Sequence, residues 1–257
     1  MKKNETTVEE TKSTTAQREA KLAAQREESI RGVRDAAARA GVTLLPGDAT
    51  LGFVRVAFAA ELTLLEELLG TASNNPDLHR EFVASRSDDA KKIEEEIEAI
   101  PTDERLDKLR TVFPRDASGR PFVWDYQLKG FLKEAALSLL ELGALQVPEA
   151  LRFTKWTGKR IMDRSAFVWP RSIVLHLPKG GEIGTCIRPL RVMTLKGERV
   201  ALAESETIPA GTTCRVLIGS VSQHLEAPLI QMLDYGQLAG LGQWRNSGKG
   251  RFSYKLL

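Results

Sequence analysis

Residues 240–252, GLGQWRNSGKGRF, bring together Gly240, Gly242, Gly248 and Gly250, the cations Arg245, Lys249 and Arg251, and Trp244. Glycines let backbone N–H groups come close to a phosphate, and basic side chains neutralise it. An adjacent indole can stack on a base. The same composition also suits a glycine-rich hairpin whose cations are solvated. A second stretch, Lys155-Trp156-Thr157-Gly158-Lys159-Arg160, interleaves a ring with cations, and Arg164 and Arg171 follow. That pattern fits single-stranded nucleic acid, where charge tracks the backbone and rings meet bases. It also fits a surface loop with Trp156 packed inward.

Lys129 and Lys133 lie one turn apart at the start of an apolar-striped helix. Free N–H groups there suit a phosphate. Gly130 either permits close approach of a backbone or allows tight helix–sheet packing. Arg188 and Arg191 flank Pro189-Leu190 in a stretch that reads as irregular and could place two guanidiniums on one face. Arginine forks match phosphate geometry. Salt bridges to Glu198, Glu204 or Glu206 are the alternative.

Catalytic chemistry has little to work with. No GxSxG nucleophile elbow and no Walker A sequence occurs. Gly240-Leu241-Gly242 is not followed by a helical pattern. Metal-independent RNA cleavage would need a group such as His176, His224 or Tyr126 acting on a 2′-hydroxyl. Neither histidine has a partner base in a motif, so both are expected to be dispensable. Three histidines without metal-ligand spacing and two cysteines, Cys186 and Cys214, without a CxxC argue against a metal centre or a disulfide scaffold. No catalytic residue, metal or cofactor is expected.

The elements that must position these residues follow from period and punctuation. The 257 residues are 42% hydrophobic and 28% charged, ordinary for a globular chain. No apolar run reaches the ~20 residues of a membrane helix, and MKKNETTVEETKSTT is not a secretory signal, so a cytoplasmic protein is expected. The net charge of +3 conceals an asymmetry. Residues 1–110 hold 17 basic and 22 acidic residues, net −5; residues 111–257 hold 20 and 12, net +8. A basic C-terminal part suits a polyanion or a merely solvated surface.

Residues 1–40 read as an arm, helical from Ala16 and disordered over the first fifteen. With few apolar residues, the arm should be removable without harm to the fold. Residues 53–58 read as a strand, and Leu62 to Leu69 as an amphipathic helix or as a strand running into a loop. Residues 72–110 form an acidic helical insertion, with helices over 88–99 and from Thr102 through Leu109. Strand-like pieces lie at 166–169, 172–177, 184–187, 199–203 and 213–219, with helices at 126–142 and 227–238. This order is that of an α+β, ferredoxin-like βαββαβ unit with extra hairpins, spanning residues 41–257. The first strand and the strand near Phe252 should share one antiparallel sheet, with helix 126–142 packed on it.

Leu128-Lys129-Gly130 opening a helix, Ile208-Pro209-Ala210-Gly211-Thr212 before a strand, and the glycine pairs Gly240/Gly242 and Gly248/Gly250 occur in that order. Together they resemble the RAMP superfamily of CRISPR-associated RNA-binding proteins, over roughly half of the chain. Tyr126 and Gln127 stand where that family usually carries serines. The RPLR, GERVALA and GLGQWRNSGKGRF stretches are also similar to bacteriophage proteins. The resemblance implies a ferredoxin-like, non-enzymatic protein that binds single-stranded RNA or DNA, with RNA the more expected of the two. It would assemble side by side along the strand, as a homo-oligomer or as a subunit of a nucleoprotein complex. It also places Asp116 where some members hold a cleavage aspartate. A metal-independent endoribonuclease of this fold and a phage structural or assembly protein are the alternative readings.

Overall fold

The computed structural model describes residues 2–44, 47–75, 80–81, 89–100, 110–194 and 197–257. Of residues 2–16, 48–49, 90, 93, 190–194 and 197–201 it describes the backbone alone. In the strand β1 (Val56–Leu64), alternate side chains point to two different layers. Ala60, Leu62 and Leu64 enter the main core, while Ala57 faces a second, smaller one. β1 pairs antiparallel with β11 (Phe252–Leu256) on one side and β10 (Thr213–Ser220) on the other, and β10 pairs with β6 (Ala166–Trp169). The sheet order is β11-β1-β10-β6, with Leu64 opposite Phe252 and Leu217 opposite Trp169.

Two helices complete this unit. One, Asp125–Glu141, lies between β1 and β6 in the chain; the other, Glu226–Asp234, lies between β10 and β11. The result is a βαββαβ order in which the fourth strand sits beside the first and the third between first and second. The chain is therefore α+β with the ferredoxin-like topology read from the sequence. The Asp125–Glu141 helix buries Leu128, Phe131, Leu132, Ala135 and Ala136, an i, i+3, i+4, i+7, i+8 stripe. Phe131 meets Phe252 edge to face at 5.1 Å, locking helix and outer strand together. Removing a buried phenylalanine such as Phe252 costs about 3–5 kcal/mol.

The other face of the sheet is not left open. Helix α1 runs Lys2–Ala40, so its backbone is helical even where the sequence suggested disorder. Its Val33, Ala36 and Ala37 are buried with Leu51, Val54 and Leu217, and Ala57 and Trp169 pack around them. Four apolar positions near its end, Ala40 included, suffice because three are small and let the helix lie close to the strands. The helical turn α2 (Asp48–Leu51) follows.

A second sheet, β2-β9-β4-β3, flanks the first and is built from β2 (Leu68–Leu69), β3 (Ala72–Ser73), β4 (Arg110–Val112) and β9 (Gly197–Ile208). A long hairpin joins β8 (Gly184–Thr194) to β9. β5 (Phe122–Trp124) pairs with β7 (Ser172–Val174). Within the 72–110 insertion, α3 (Ala90–Glu98) is capped by Asp89, which accepts from the Lys91 N–H. The second helix expected from Thr102 lies outside the described residues. The Asp125–Glu141 helix is α4, Gly158–Ser165 is α5 and Glu226–Asp234 is α6.

Three expectations shift. The first strand begins at Val56 rather than Phe53, whose ring is 64% exposed. Leu62 and Leu64 belong to that strand and Leu68-Leu69 to β2, so the helical alternative for this stretch falls; their every-second-residue burial is a strand period. Pro189 and its neighbours lie within regular β8 rather than in an irregular segment. Proline is tolerated there because β9 is the only strand paired with β8 among the described residues.

Since α1 covers Leu217 and Val54, deleting residues 1–40 should lower the melting temperature of the remainder. This reverses the expectation of a dispensable arm. Thermal denaturation of the truncated chain beside the full chain checks it.

Candidate nucleic-acid interface

The glycine-rich loop turns back on itself by backbone contact. The Leu241 N–H donates to Gly250 O at 2.9 Å, and the Gly250 N–H donates to Glu67 O at 2.8 Å. A Cβ at Gly240 or Gly250 would collide with the backbone of the opposite limb, so both positions require glycine. Gly242 and Gly248 take φ of 75° and 82°, in the left-handed region. Trp244 also lies there, at φ 57°, uncommon for a bulky residue and of order 1–3 kcal/mol in cost.

Arg188 from β8 holds this loop in place. It is buried, donates to Ser205 Oγ at 2.9 Å and to Gln243 Oε1 at 2.5 Å, and lies 5.5 Å from the centre of the Trp244 ring. Gln243 in turn donates to Gly70 O at 3.0 Å. Ser205 shares a 2.7 Å hydrogen bond with Thr111. Arg188 is thus engaged by neutral acceptors and a ring rather than by Glu204 or Glu206, and the Glu198 side chain lies outside the described residues. Glu206 instead accepts from the Phe113 N–H and from Arg115, each at 2.9 Å. The side chain of Arg191 lies outside the described residues.

Between this loop and α4 runs a cleft of about 500 Å³. Gly130, Phe131 and Glu134 line one side, Leu241, Gly242 and Arg245 the other, and Thr71, Ala72 and Pro114 the base. Trp124 and Tyr126 also line it, their rings stacked at 6.4 Å and 12°. Arg245 reaches across to Glu134 at 2.6 Å. The two stretches marked in the sequence, Leu128-Lys129-Gly130 and Gly240-Leu241-Gly242, therefore meet. A Cβ on Gly130 would meet nothing within 4 Å, so helix–sheet packing does not account for this glycine.

The remaining cations divide into two groups. Lys133 pairs with Asp163 at 2.5 Å, and Lys129 donates to Asp163 O at 2.9 Å while lying 5.1 Å from the Phe167 ring. Burial pushes Lys129 below its ordinary pKa, Asp163 resists this, and Lys133 adds to it. Lys249 faces Glu67 at 3.4 Å, and Arg251 donates to Gly248 O at 3.0 Å. The other group is open to solvent. Trp156 is 83% exposed, with Lys155 Nζ 5.4 Å from its ring, and Lys159 and Arg160 are exposed at the start of α5. The inward-packed alternative for Trp156 does not hold; Phe153 fills that role, lying against Gly158.

Three backbone donors at the start of α4 have partners. The Trp124 N–H donates to Gln127 Oε1 at 2.8 Å, the Tyr126 N–H to Asp125 Oδ1 at 2.8 Å, and the Asp125 N–H to Arg171 O at 2.8 Å. Arg171 gathers Asp125 at 3.4 Å, Glu96 at 3.0 Å and Glu95 at 3.2 Å, beneath the Trp124 ring at 4.8 Å. This cluster ties α3 to α4. Burial pushes Glu96 above its ordinary pKa, against the Tyr126 hydroxyl and Arg171. Burial likewise raises Asp125, against Arg171.

The candidate cleavage groups sit on different elements, although Arg120, which binds Asp116, lines one cleft with His176. Burial works to raise Asp116, but the Arg120 N–H, the Arg120 side chain and the Ser118 N–H hold it below its ordinary pKa, closing its own turn. His176 is exposed and bridges Thr213 through its backbone; His224 is exposed beside α6. Burial drives the Cys214 thiol up to about 12, leaving it protonated. Sequence reasoning missed Glu134, Gln243, Glu67 and the Arg171 cluster. Only Gln127, three residues beyond Trp124, had a local capping signal. The others act across 46 to 182 residues of chain.

No protein-family model matches the chain, and no curated protein matches it in sequence. Solved structures do. A chain of a type III-B Cmr-beta complex bound to cognate target RNA shares 12% identity over 78% of this chain, with a TM-score of 0.45. Cmr6 from Pyrococcus furiosus shares 11% over 78% of this chain and 98% of its own, at 0.40. A chain of a type IV-B CRISPR complex shares 10% over 79% and 90%, at 0.39. The chain spans 60% of the length of the Cmr-beta protein. The ferredoxin-like assignment stands on the strand order of this chain itself.

Two outcomes are expected here. Gly130→Ala should stabilise the fold by up to about 1 kcal/mol, since it improves helix propensity and meets open space; chemical denaturation reads this. A carboxylate held above its ordinary pKa weakens the fold at neutral pH, and lowering the pH through the raised value toward 4.5 relieves that weakening. Glu96→Gln should therefore flatten the melting temperature against pH between neutrality and 4.5. Asp116 acts in the opposite sense, its contribution being lost only as pH falls below 3.8 through its lowered value.

Proposed function

We propose that this protein binds single-stranded nucleic acid, RNA in preference to DNA, and works as a subunit of a nucleoprotein assembly. The exposure of Trp156 carries this reading. A large indole left 83% in solvent, flanked by Lys155 and followed by the exposed Lys159 and Arg160, offers a base a stacking surface and its phosphates nearby cations. It belongs to a segment, residues 151–200, with 11 basic and 3 acidic residues. The RNA preference and side-by-side assembly rest on the motif resemblance given above.

Phosphate contacts on this surface would release counterions, so affinity should fall with salt. The loop cations contribute less, because Arg245 and Lys249 already face Glu134 and Glu67. Binding without cleavage is the reading proposed here, with metal-independent cleavage of RNA as its alternative.

Trp156→Ala should weaken binding of a labelled single-stranded RNA by about 1–3 kcal/mol with little change in salt slope and no loss of melting temperature. Lys159→Ala should lower the slope of log affinity against log salt by roughly one unit. Wild-type affinity and slope in both variants would overturn this surface as the binding site.

A further inference from the structure

Gly130 lies inside α4, where a glycine costs about 1 kcal/mol relative to alanine. No neighbour demands it, since a Cβ would meet nothing within 4 Å. What its missing side chain leaves is room in the cleft, one helical turn before Glu134 on the same helix face. Glu134 and Arg245 stand together at that room from opposite walls, 2.6 Å apart. The cleft is not built for phosphate: Glu134 would repel one and already matches Arg245.

We propose that the cleft is a single-base pocket that selects guanine, a proposal resting on the single-stranded reading above. Guanine presents an acceptor, O6, beside two donors, N1–H and the N2 amino group. A carboxylate only accepts and a guanidinium only donates. Arg245 and Glu134 side by side thus complement that edge, Arg245 donating to O6 and Glu134 accepting from N1–H and N2. Adenine offers an acceptor at N1 where the carboxylate needs a donor, and inosine lacks the N2 amino group. Gly130 lets a flat ring lie against the helix. Phe131 and Leu241 form apolar walls, and Tyr126, stacked on Trp124, also lines the cleft. A cleft of about 500 Å³ suits a ligand of this size.

The test compares the full-length protein on labelled oligouridine RNAs carrying one central guanosine, inosine or adenosine, by fluorescence anisotropy. Guanosine should bind about tenfold more tightly than inosine or adenosine, the worth of a hydrogen bond to a charged group. Glu134→Gln and Gly130→Leu should each bring those ratios close to one, with the far-UV circular dichroism of the wild type. Equal binding of the three oligonucleotides by wild type, or a guanosine preference that survives Glu134→Gln, overturns the pocket alone, since oligouridine is still bound. Failure of every oligonucleotide to bind overturns the single-stranded reading and the pocket with it.

Discussion

The closure of the glycine-rich loop is the constraint on which the cleft depends. Two limbs of backbone pass so closely at Gly240 and Gly250 that no side chain fits between them. That approach lets Leu241 turn into the wall opposite Phe131, and it directs Gln243 onto Gly70 and Arg188. A buried guanidinium bound to neutral acceptors is a costly anchor, because its charge has left water without a matching carboxylate among the described residues. What the fold gains is a loop fixed to the second sheet, while β11, the strand that follows it, belongs to the first. The loop therefore joins the two sheets, and the cleft beside it inherits the rigidity of both.

The two faces of the main sheet are both used. One carries α4 and α6 over the large apolar core, and the other carries the end of α1 on Leu217 and Ala57. Ferredoxin-like RNA binders that stack bases on an open sheet face need that face bare. Here the available surfaces are instead the rim at Trp156 and the cleft at Gly130. The proposed binding surfaces therefore lie at the margins of the sheet, where loops meet helices.

Much of the fold was legible because its signals are local. The apolar stripe of α4, the turn residues between β8, β9 and β10, and the 166–169 strand all follow from short-range period and punctuation. The first strand was misplaced by three residues because Phe53 looks like a strand residue and only its exposure shows otherwise. The burial of α1 was not legible because alanines mark a close helix–sheet contact no more loudly than a solvated helix. At the site, the glycines and cations of the loop were visible, but their partners were not. Glu134 is 111 residues from Arg245, and Gln243 is 55 from Arg188. Such pairs are set by topology, and a single sequence carries no trace of them.

The hairpin of β8 and β9 has an implication for how copies could meet. Its outer strand bears Ile187, with Leu202 across from Pro189, on a face left to solvent, the arrangement that invites another chain to add a strand. Pro189 removes a main-chain donor from that row. A newcomer would meet an interrupted ladder, so templated growth along this border is discouraged even though its surface is greasy. Contacts along this border are therefore directed toward side chains rather than toward a continuous shared sheet.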